Sequence, residues 1–117
     1  MKLLAFFLQL INEIKMYHWS TPTYARHVAS DVLFTKLLGL IDQFVEVYQG
    51  RYGVRVGNDE VTLVVKPLND ATIVEYLRGC VDVLNAKRHT LPDTDLQNIR
   101  DEIVAEIHQA LYLFTFK

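Results

Sequence analysis

Cysteine is nearly absent from this sequence, and its scarcity limits the class of protein. Cys80 is the single cysteine among 117 residues, so no disulfide can form within the chain. Small secreted domains usually depend on several disulfides, whereas a lone cysteine suits a reducing compartment. The cysteine count therefore favours a cytoplasmic protein.

Clusters of basic residues and long apolar runs are also missing. The chain has 12 Lys and Arg against 14 Asp and Glu, a net charge of −2, and no basic block. Surfaces that grip nucleic acid or anionic lipid need clustered positive charge. The apolar start, MKLLAFFLQLI, is too short to span a bilayer, and Asn12, Glu13 and Lys15 follow it without a small-residue cleavage site. We therefore expect no DNA binding, no membrane insertion and no secretory signal.

Apolar residues make up half of the chain and occur throughout it, which predicts one folded domain over residues 1–117. Helical spacing of these residues predicts four helices, at about 2–17, 24–49, 70–87 and 92–114, the third capped by Asn69 or Asp70. Residues 50–69 lack that spacing, and their β-branched run at 61–65 fits either a strand or extended chain. Two antiparallel helix pairs joined by a long crossover define an all-α, ferritin-like four-helix bundle.

The same spacing predicts which side chains face the core. Continuing the stripe of the first helix leads to His18, which we expect to point inward. The predicted inward residues are, helix by helix, Leu4, Phe7, Ile11 and Ile14; Val28, Phe34, Leu38, Ile41 and Val45; Ile73, Leu77, Val81 and Leu84; and Leu96, Ile99, Ile103, Ile107, Ala110 and Phe114.

The second helix carries a set of metal-ligating residue types on one face. His27, Asp31, Asp42 and Glu46 stand at offsets of 0, 4, 15 and 19, all near whole numbers of helical turns. With His18, they place two imidazoles and three carboxylates beside apolar residues, which is costly unless their charge is compensated. A metal ion is one such compensation, and mixed imidazole and carboxylate ligands suit iron, zinc or manganese.

One chain cannot complete such a site along this helix. His27 and Asp31 can converge, as can Asp42 and Glu46, but 11 residues or ~16.5 Å of helix separate the two pairs. An antiparallel homodimer centred between residues 36 and 37 would place His27 opposite Glu46 and Asp31 opposite Asp42. The pattern is therefore self-complementary, as a twofold interface requires. The alternative of a di-iron site inside one bundle needs Glu-x-x-His pairs, and this sequence contains none.

These residues resemble the ferroxidase signature of the Dps family, the miniferritins. The similarity is strongest over residues 10–50, and the spacing from His27 onward agrees with the family pattern, whereas the gap from His18 to His27 is three residues shorter. The residues that carry the resemblance are His18, Trp19, His27, Asp31, Asp42 and Glu46.

The resemblance implies an iron-binding protein that oxidises Fe(II) with O2 or peroxide at dimer-interface sites. By the family pattern, one chain supplies His18, His27 and Asp31, and its twofold mate supplies Asp42 and Glu46. Dps chains are longer and assemble into cages, whereas the short loops here resemble small viral or phage ferritin-like proteins, which would act in the host cytoplasm or a virion. We therefore expect the dimer, with a cage-like oligomer left open. The alternative is a non-enzymatic homodimeric bundle, a structural or interaction module in which His27 pairs with Glu46 without metal.

Overall fold

The computed structural model describes residues 1–88 and 90–117 and is built from four α-helices. Their bounds are α1 Leu3–Ser20, α2 Tyr24–Tyr52, α3 Ile73–Ala86 and α4 Thr94–Leu113. The described ranges contain no strand, and residues 61–65 form no regular secondary structure. The predicted all-α four-helix fold is confirmed. His89, which the sequence places in a loop, lies outside the described residues.

A three-residue turn reverses the chain between α1 and α2. Thr21 takes an extended conformation, with ψ of 133°, because the following Pro22 disfavours the helical region. The Thr21 N–H still donates to the carbonyl of Tyr17 at 2.9 Å and so closes the last turn of α1. The two helices pack side by side in opposite directions, as predicted.

The second helix ends later than the sequence indicates. Gly50 remains helical, and the helix stops at Gly53, whose φ of 64° lies in the left-handed region that glycine adopts at little cost. The Gly53 N–H donates to the carbonyl of Gln49. The predicted end at about residue 49 is therefore wrong by three residues.

Asp70 anchors the far end of the crossover to the α1–α2 turn. Its carboxylate accepts hydrogen bonds from Tyr17 at 2.7 Å, Thr21 at 2.7 Å and Thr23 at 2.6 Å. Arg26 donates to the Asp70 carbonyl at 2.9 Å. The crossover therefore runs the length of the bundle, from the C-terminal end of α2 back to the turn at the opposite end.

A second polar cluster joins the C-terminal end of α2 to the start of α4. The Arg51 Nε lies 2.7 Å from the Asp93 carboxylate, which also accepts a hydrogen bond from the Tyr52 hydroxyl. Since α3 starts near the α1–α2 turn and α4 starts beside the end of α2, α3 runs parallel to α2 and α4 runs opposite. This is the predicted connectivity with a long crossover. In the two described ranges, no helix is long and apolar enough to cross a membrane.

The predicted core is right for two helices and partly wrong for the other two. Every predicted inward residue of α3 and α4 is buried. In α2, by contrast, Val28 and Leu38 are 43% and 46% exposed. Apolar residues occur on two faces of α2, and periodicity alone cannot tell which face meets the core. The buried apolar residues of α1 and α2 are Leu3, Phe7, Leu10, Ile14, Tyr17, Ala29, Leu33, Leu37, Ile41 and Phe44.

Candidate metal centre on the outer face of helix α2

His18 and His27 lock each other in place at the α1–α2 turn. The Nδ1 of His18 lies 2.8 Å from the carbonyl oxygen of His27, and the Nδ1 of His27 lies 2.8 Å from the carbonyl oxygen of His18. Because a carbonyl only accepts hydrogen bonds, both Nδ1 atoms carry the proton. With Nδ1 as the donor, the neutral form of each ring keeps its lone pair on Nε2, the form that binds a metal ion.

The packing of the two rings also sets their directions. Their centroids are 4.0 Å apart and their planes differ by 18°, so the rings are stacked. His18 is buried, as predicted, and Ser30 lies 3.2 Å from its Nδ1, whereas His27 is exposed. Since each Nε2 lone pair lies in the plane of its own ring, the two rings direct their lone pairs to separate positions.

Asp31 lies next to this pair, one helical turn beyond His27. Its Oδ1 is 4.0 Å from the Nε2 of His18, too far for a hydrogen bond, and its side chain is 57% exposed. His18, His27 and Asp31 thus gather at one end of α2, as the sequence predicts. Even so, no three His, Cys, Asp or Glu side chains within residues 1–88 and 90–117 are close enough to hold an ion.

Asp42 and Glu46 form the second half of the set, toward the other end of α2. Both are exposed and one helical turn apart. A hydrogen bond with Asp42, together with the negative charge of Asp42, raises the pKa of Glu46. In the described part of the chain, no cationic side chain forms an ion pair with either carboxylate. Within one chain the structure does not bring this pair to the histidines.

Exposed apolar side chains surround the polar set on the outer face of α2. Tyr24 is 79% exposed and shares this face with Val28 and Leu38, which the sequence had assigned to the core. Gly39 lies on the same face, and a Cβ added there would meet no atom within 4 Å. We call this surface, Tyr24 to Glu46 on the side of α2 away from the core, the outer face of α2.

Sequence reasoning missed one buried acid, Glu13. It is 2% exposed, one of its oxygens accepts the Lys66 N–H at 2.7 Å, and the other has no partner. Its burial could have been predicted from helical spacing, because Leu10, Ile14 and Tyr17 lie on the same side of α1 and are all core residues.

The structure is a four-helix bundle with a histidine pair at one end of the outer face of α2 and a carboxylate pair at the other, and the comparisons with known proteins assign it to a family. The chain belongs to a family of unknown function, DUF5856, whose model matches residues 18–114. The matched region begins at His18 and contains the whole candidate metal centre.

A relative from Enterobacteria phage T4 supports a link to phages. It is an uncharacterized 14.6 kDa protein of the mobD-ri intergenic region, 30% identical to this chain over 100 residues. The match covers 86% of this chain and 75% of the phage protein. No solved structure matches the chain. None of these matches names a Dps protein or a ferritin.

Proposed function

We propose that two copies of this chain pair through the outer faces of α2 and that each end of the pair forms a site for binding and oxidising ferrous iron. The observation that supports this most directly is the reciprocal lock of His18 and His27. Two backbone carbonyls hold both rings in the tautomer whose Nε2 can bind a metal, and preorganised imidazoles of this kind are typical of metal centres.

The antiparallel pairing is the part of the proposal that completes the site. When the helices cross at residues 36 and 37, the Asp42 and Glu46 carboxylates of the second copy lie opposite Asp31 and His27. Asp31 then meets a like charge, which repels unless a cation lies between the carboxylates. The pairing therefore creates two equivalent sites, each of which gains from an ion.

The apolar part of the outer face fits the same pairing. In that register Gly39 lies opposite Phe34 of the second copy, a missing side chain against a large one. A glycine inside a helix costs about 1 kcal/mol relative to alanine, and among the described residues no atom lies within 4 Å of where a Cβ of residue 39 would be. Close approach of α2 from a second copy would explain why a glycine occupies position 39.

The ligand types support the oxidation of ferrous to ferric ion as the reaction of this site. His18 and His27 would supply imidazole ligands to ferrous iron, and carboxylates from both copies would stabilise the higher charge of the ferric product. Each ferrous ion gives up one electron. Two electrons and two protons reduce one peroxide to two waters, or reduce O2 to peroxide.

The test is an anaerobic titration with ferrous ion followed by O2 or peroxide. Sedimentation should first show a dimer, and absorbance should then show an oxidant-dependent ferric signal. We expect Asp42→Ala with Glu46→Ala to weaken iron binding by more than about 100-fold. The control is Asp59→Ala with Glu60→Ala, which removes two exposed carboxylates from the crossover. A dimer without any ferric signal would overturn the enzymatic proposal, and a monomer would overturn the site itself.

The second candidate is a metal-free homodimer that serves as a structural or interaction module. The exposed Tyr24, Val28 and Leu38 favour it, because they provide an apolar contact that needs no ion. Under this candidate, Asp42→Ala alone tightens the dimer, because the like-charge contact with Asp31 disappears while the pairing of His27 with Glu46 remains. Under the iron proposal, the same variant tightens only the metal-free dimer and loses the further stabilisation by iron.

A further inference from the structure

A cavity of about 390 Å³ lies at the end of the bundle opposite the stacked histidines, between the start of α1, the C-terminal part of α2 and the loop after α3. Its volume falls in the range of about 300–1,000 Å³ typical of small-molecule sites. Lys2 and Lys87 both line it, together with Leu3, Leu91 and Tyr48. The fold therefore brings two cationic side chains from distant parts of the chain to one space.

The charges of these two lysines are uncompensated in the described part of the chain. Within residues 1–88 and 90–117, neither Lys2 nor Lys87 forms an ion pair. No Asp or Glu is among the described residues that line the cavity. A cleft lined by charges of one sign concentrates ions of the opposite sign. The cavity therefore favours an anion.

The start of α1 adds positive charge at the same place. Lys2 is the N-cap residue of this 18-residue helix, its side chain makes no capping hydrogen bond, and the first turn contains no acidic residue. The N-terminus of a helix carries a partial positive charge, which acidic groups near it stabilise. An anion in the cavity supplies the negative charge that the first turn of α1 lacks.

A buried arginine lies beside the cavity. Arg100 is 2% exposed and lines a small space that shares Lys87 and Leu91 with the cavity. Asp101 lies 3.2 Å from the Arg100 guanidinium and 3.0 Å from that of Arg88, so one carboxylate serves two cations. Arg100 is closed to solvent and does not touch a ligand, but its charge acts on the cavity through a low dielectric.

The loop after α3 fixes the backbone of Lys87 at the cavity. The Lys87 carbonyl oxygen accepts hydrogen bonds from the N–H groups of Thr90 at 3.2 Å and Leu91 at 3.1 Å, and from the Thr90 hydroxyl at 3.1 Å. Because the loop is already ordered, ligand binding needs to order only the lysine side chains, which lowers its entropic cost.

The remaining walls select the kind of anion. Leu3 and Leu91 offer apolar surface, which suits an organic body better than a bare inorganic ion. The two ammonium groups match an anion with more than one charge. A phosphate monoester carries a charge of about −1.5 to −2 at pH 7 and three strong acceptor oxygens, and lysine is a common phosphate ligand.

We propose that this cavity binds a small organic phosphate, a phosphate monoester on a short apolar body, whose oxygens accept hydrogen bonds from the ammonium groups of Lys2 and Lys87 while its body packs against Leu3 and Leu91. The site uses no residue of the iron proposal, and its test needs no metal.

The probe is phenyl phosphate, titrated into the full-length chain without metal. Amide NMR should show shifts at Leu3 and Leu91, and calorimetry gives the affinity. Inorganic phosphate lacks the apolar ring, and benzoate carries one negative charge instead of nearly two. Each of these two anions should therefore bind at least about tenfold more weakly than phenyl phosphate.

Substitutions of the two lysines test the charges that line the cavity. Lys2→Gln should lower the affinity for phenyl phosphate about tenfold, and Lys2→Gln with Lys87→Gln about 100-fold, because each change removes a hydrogen bond between charged groups. The matched control is Lys66→Gln with Lys117→Gln. It changes the net charge equally through two exposed lysines outside the described lining, and it should bind like wild type.

The proposal is overturned if phenyl phosphate causes no NMR shift, or if benzoate or inorganic phosphate binds as tightly as phenyl phosphate. Equal affinity in the double variant and its matched control would also overturn it. Thermal melts should show that each variant folds. If the double variant does not fold, Lys2→Gln alone decides, since Lys2 is exposed, and unchanged affinity in that variant counts against the site.

Discussion

The two ends of the outer face of α2 are built in opposite ways. At one end, backbone carbonyls fix the rings of His18 and His27, and Asp31 lies beside them. At the other end, Asp42 and Glu46 are exposed carboxylates held by nothing in the described chain except their own helix. The histidine end supplies imidazole nitrogens in fixed orientations, and the carboxylate end supplies negative charge. Because ~16.5 Å of rigid helix separates them, only a second chain can combine the two.

The largest effect is expected when the histidine end of the outer face is removed from one chain and the carboxylate end from another. His18→Ala with His27→Ala should abolish iron oxidation, and so should Asp42→Ala with Glu46→Ala. After unfolding and refolding the two variants together, half of the dimers are mixed, and each mixed dimer has one of its two sites intact. We expect about a quarter of the wild-type activity to return. Ferrous oxidation rates measure it.

No recovery in a sample shown to contain mixed dimers would mean that each site lies within one chain. The matched control is the mixture of each variant with itself, treated identically, which should remain inactive.

A smaller effect is expected from the anchor that supports only the histidine end. Asp70→Asn weakens hydrogen bonds from Tyr17, Thr21 and Thr23 to a charged acceptor and should cost about 2 kcal/mol of unfolding free energy. Urea melts of the apo-protein measure it. Asp59→Asn, an exposed acid in the crossover, is the control and should change little.

The same anchor should be sensitive to acid. Partial burial alone would raise the pKa of Asp70, but hydrogen bonds from Thr23, Tyr17 and Thr21 outweigh it and lower the pKa below the ordinary 3.8. Its stabilising contribution is therefore complete above that value and is lost as the pH falls through the lower, folded-state pKa. Asp70→Asn should lack this loss. An identical acid dependence in both proteins would show that the anchor is not ionised.

An effect of about 1 kcal/mol is expected at Gly39, in the middle of the outer face of α2, and it should differ from the effect at an exposed glycine outside the proposed dimer contact. Gly39→Ala should stabilise the isolated chain by about 1 kcal/mol through helix propensity, yet weaken the dimer where α2 approaches its copy. Gly79→Ala is the control on α3 and should give the stabilisation alone, since a Cβ added at either glycine meets no other atom within 4 Å. Sedimentation equilibrium and urea melts measure both. Equal dimer affinity in the two variants would contradict the close approach at Gly39.

The smallest effect is expected at the carboxylate end. Asp42 raises the pKa of Glu46, so Asp42→Asn should return that pKa toward its ordinary value. A raised carboxyl pKa favours folding at low pH, and this contribution is lost as the pH rises through the folded-state pKa. At neutral pH the variant should therefore be slightly more stable than wild type. Carboxyl NMR titration of Glu46 checks the shift, and an unchanged pKa would mean that the two acids do not interact.

Much of the fold could be predicted from residue spacing. The apolar stripes of α3 and α4 are strict, and every residue they assign to the core is buried. The inward position of His18 followed from the stripe of α1 in the same way. The face of α2 could not be chosen, because Val28 and Leu38 continue a helical spacing as well as Leu33 and Leu37 do.

The side-chain anchors were harder to foresee, because they join distant parts of the chain. The sequence assigned Asp70 to a helix cap, a local role, whereas it binds the α1–α2 turn about 50 residues away in sequence. Glu13 looked like an ordinary charged residue until the crossover covered it. Neither pairing has a local signature.

The sequence alone determined the four helices, their order, and the spacing that places His27, Asp31, Asp42 and Glu46 on one face, since helical geometry fixes these from local pattern. Only the tertiary structure decided that this face points outward, that His18 and His27 lock each other through their backbones, and that Glu13 is buried with one oxygen unpartnered. Those outcomes depend on which faces of the helices meet and where the crossover lies. Contacts between residues far apart in the chain set both.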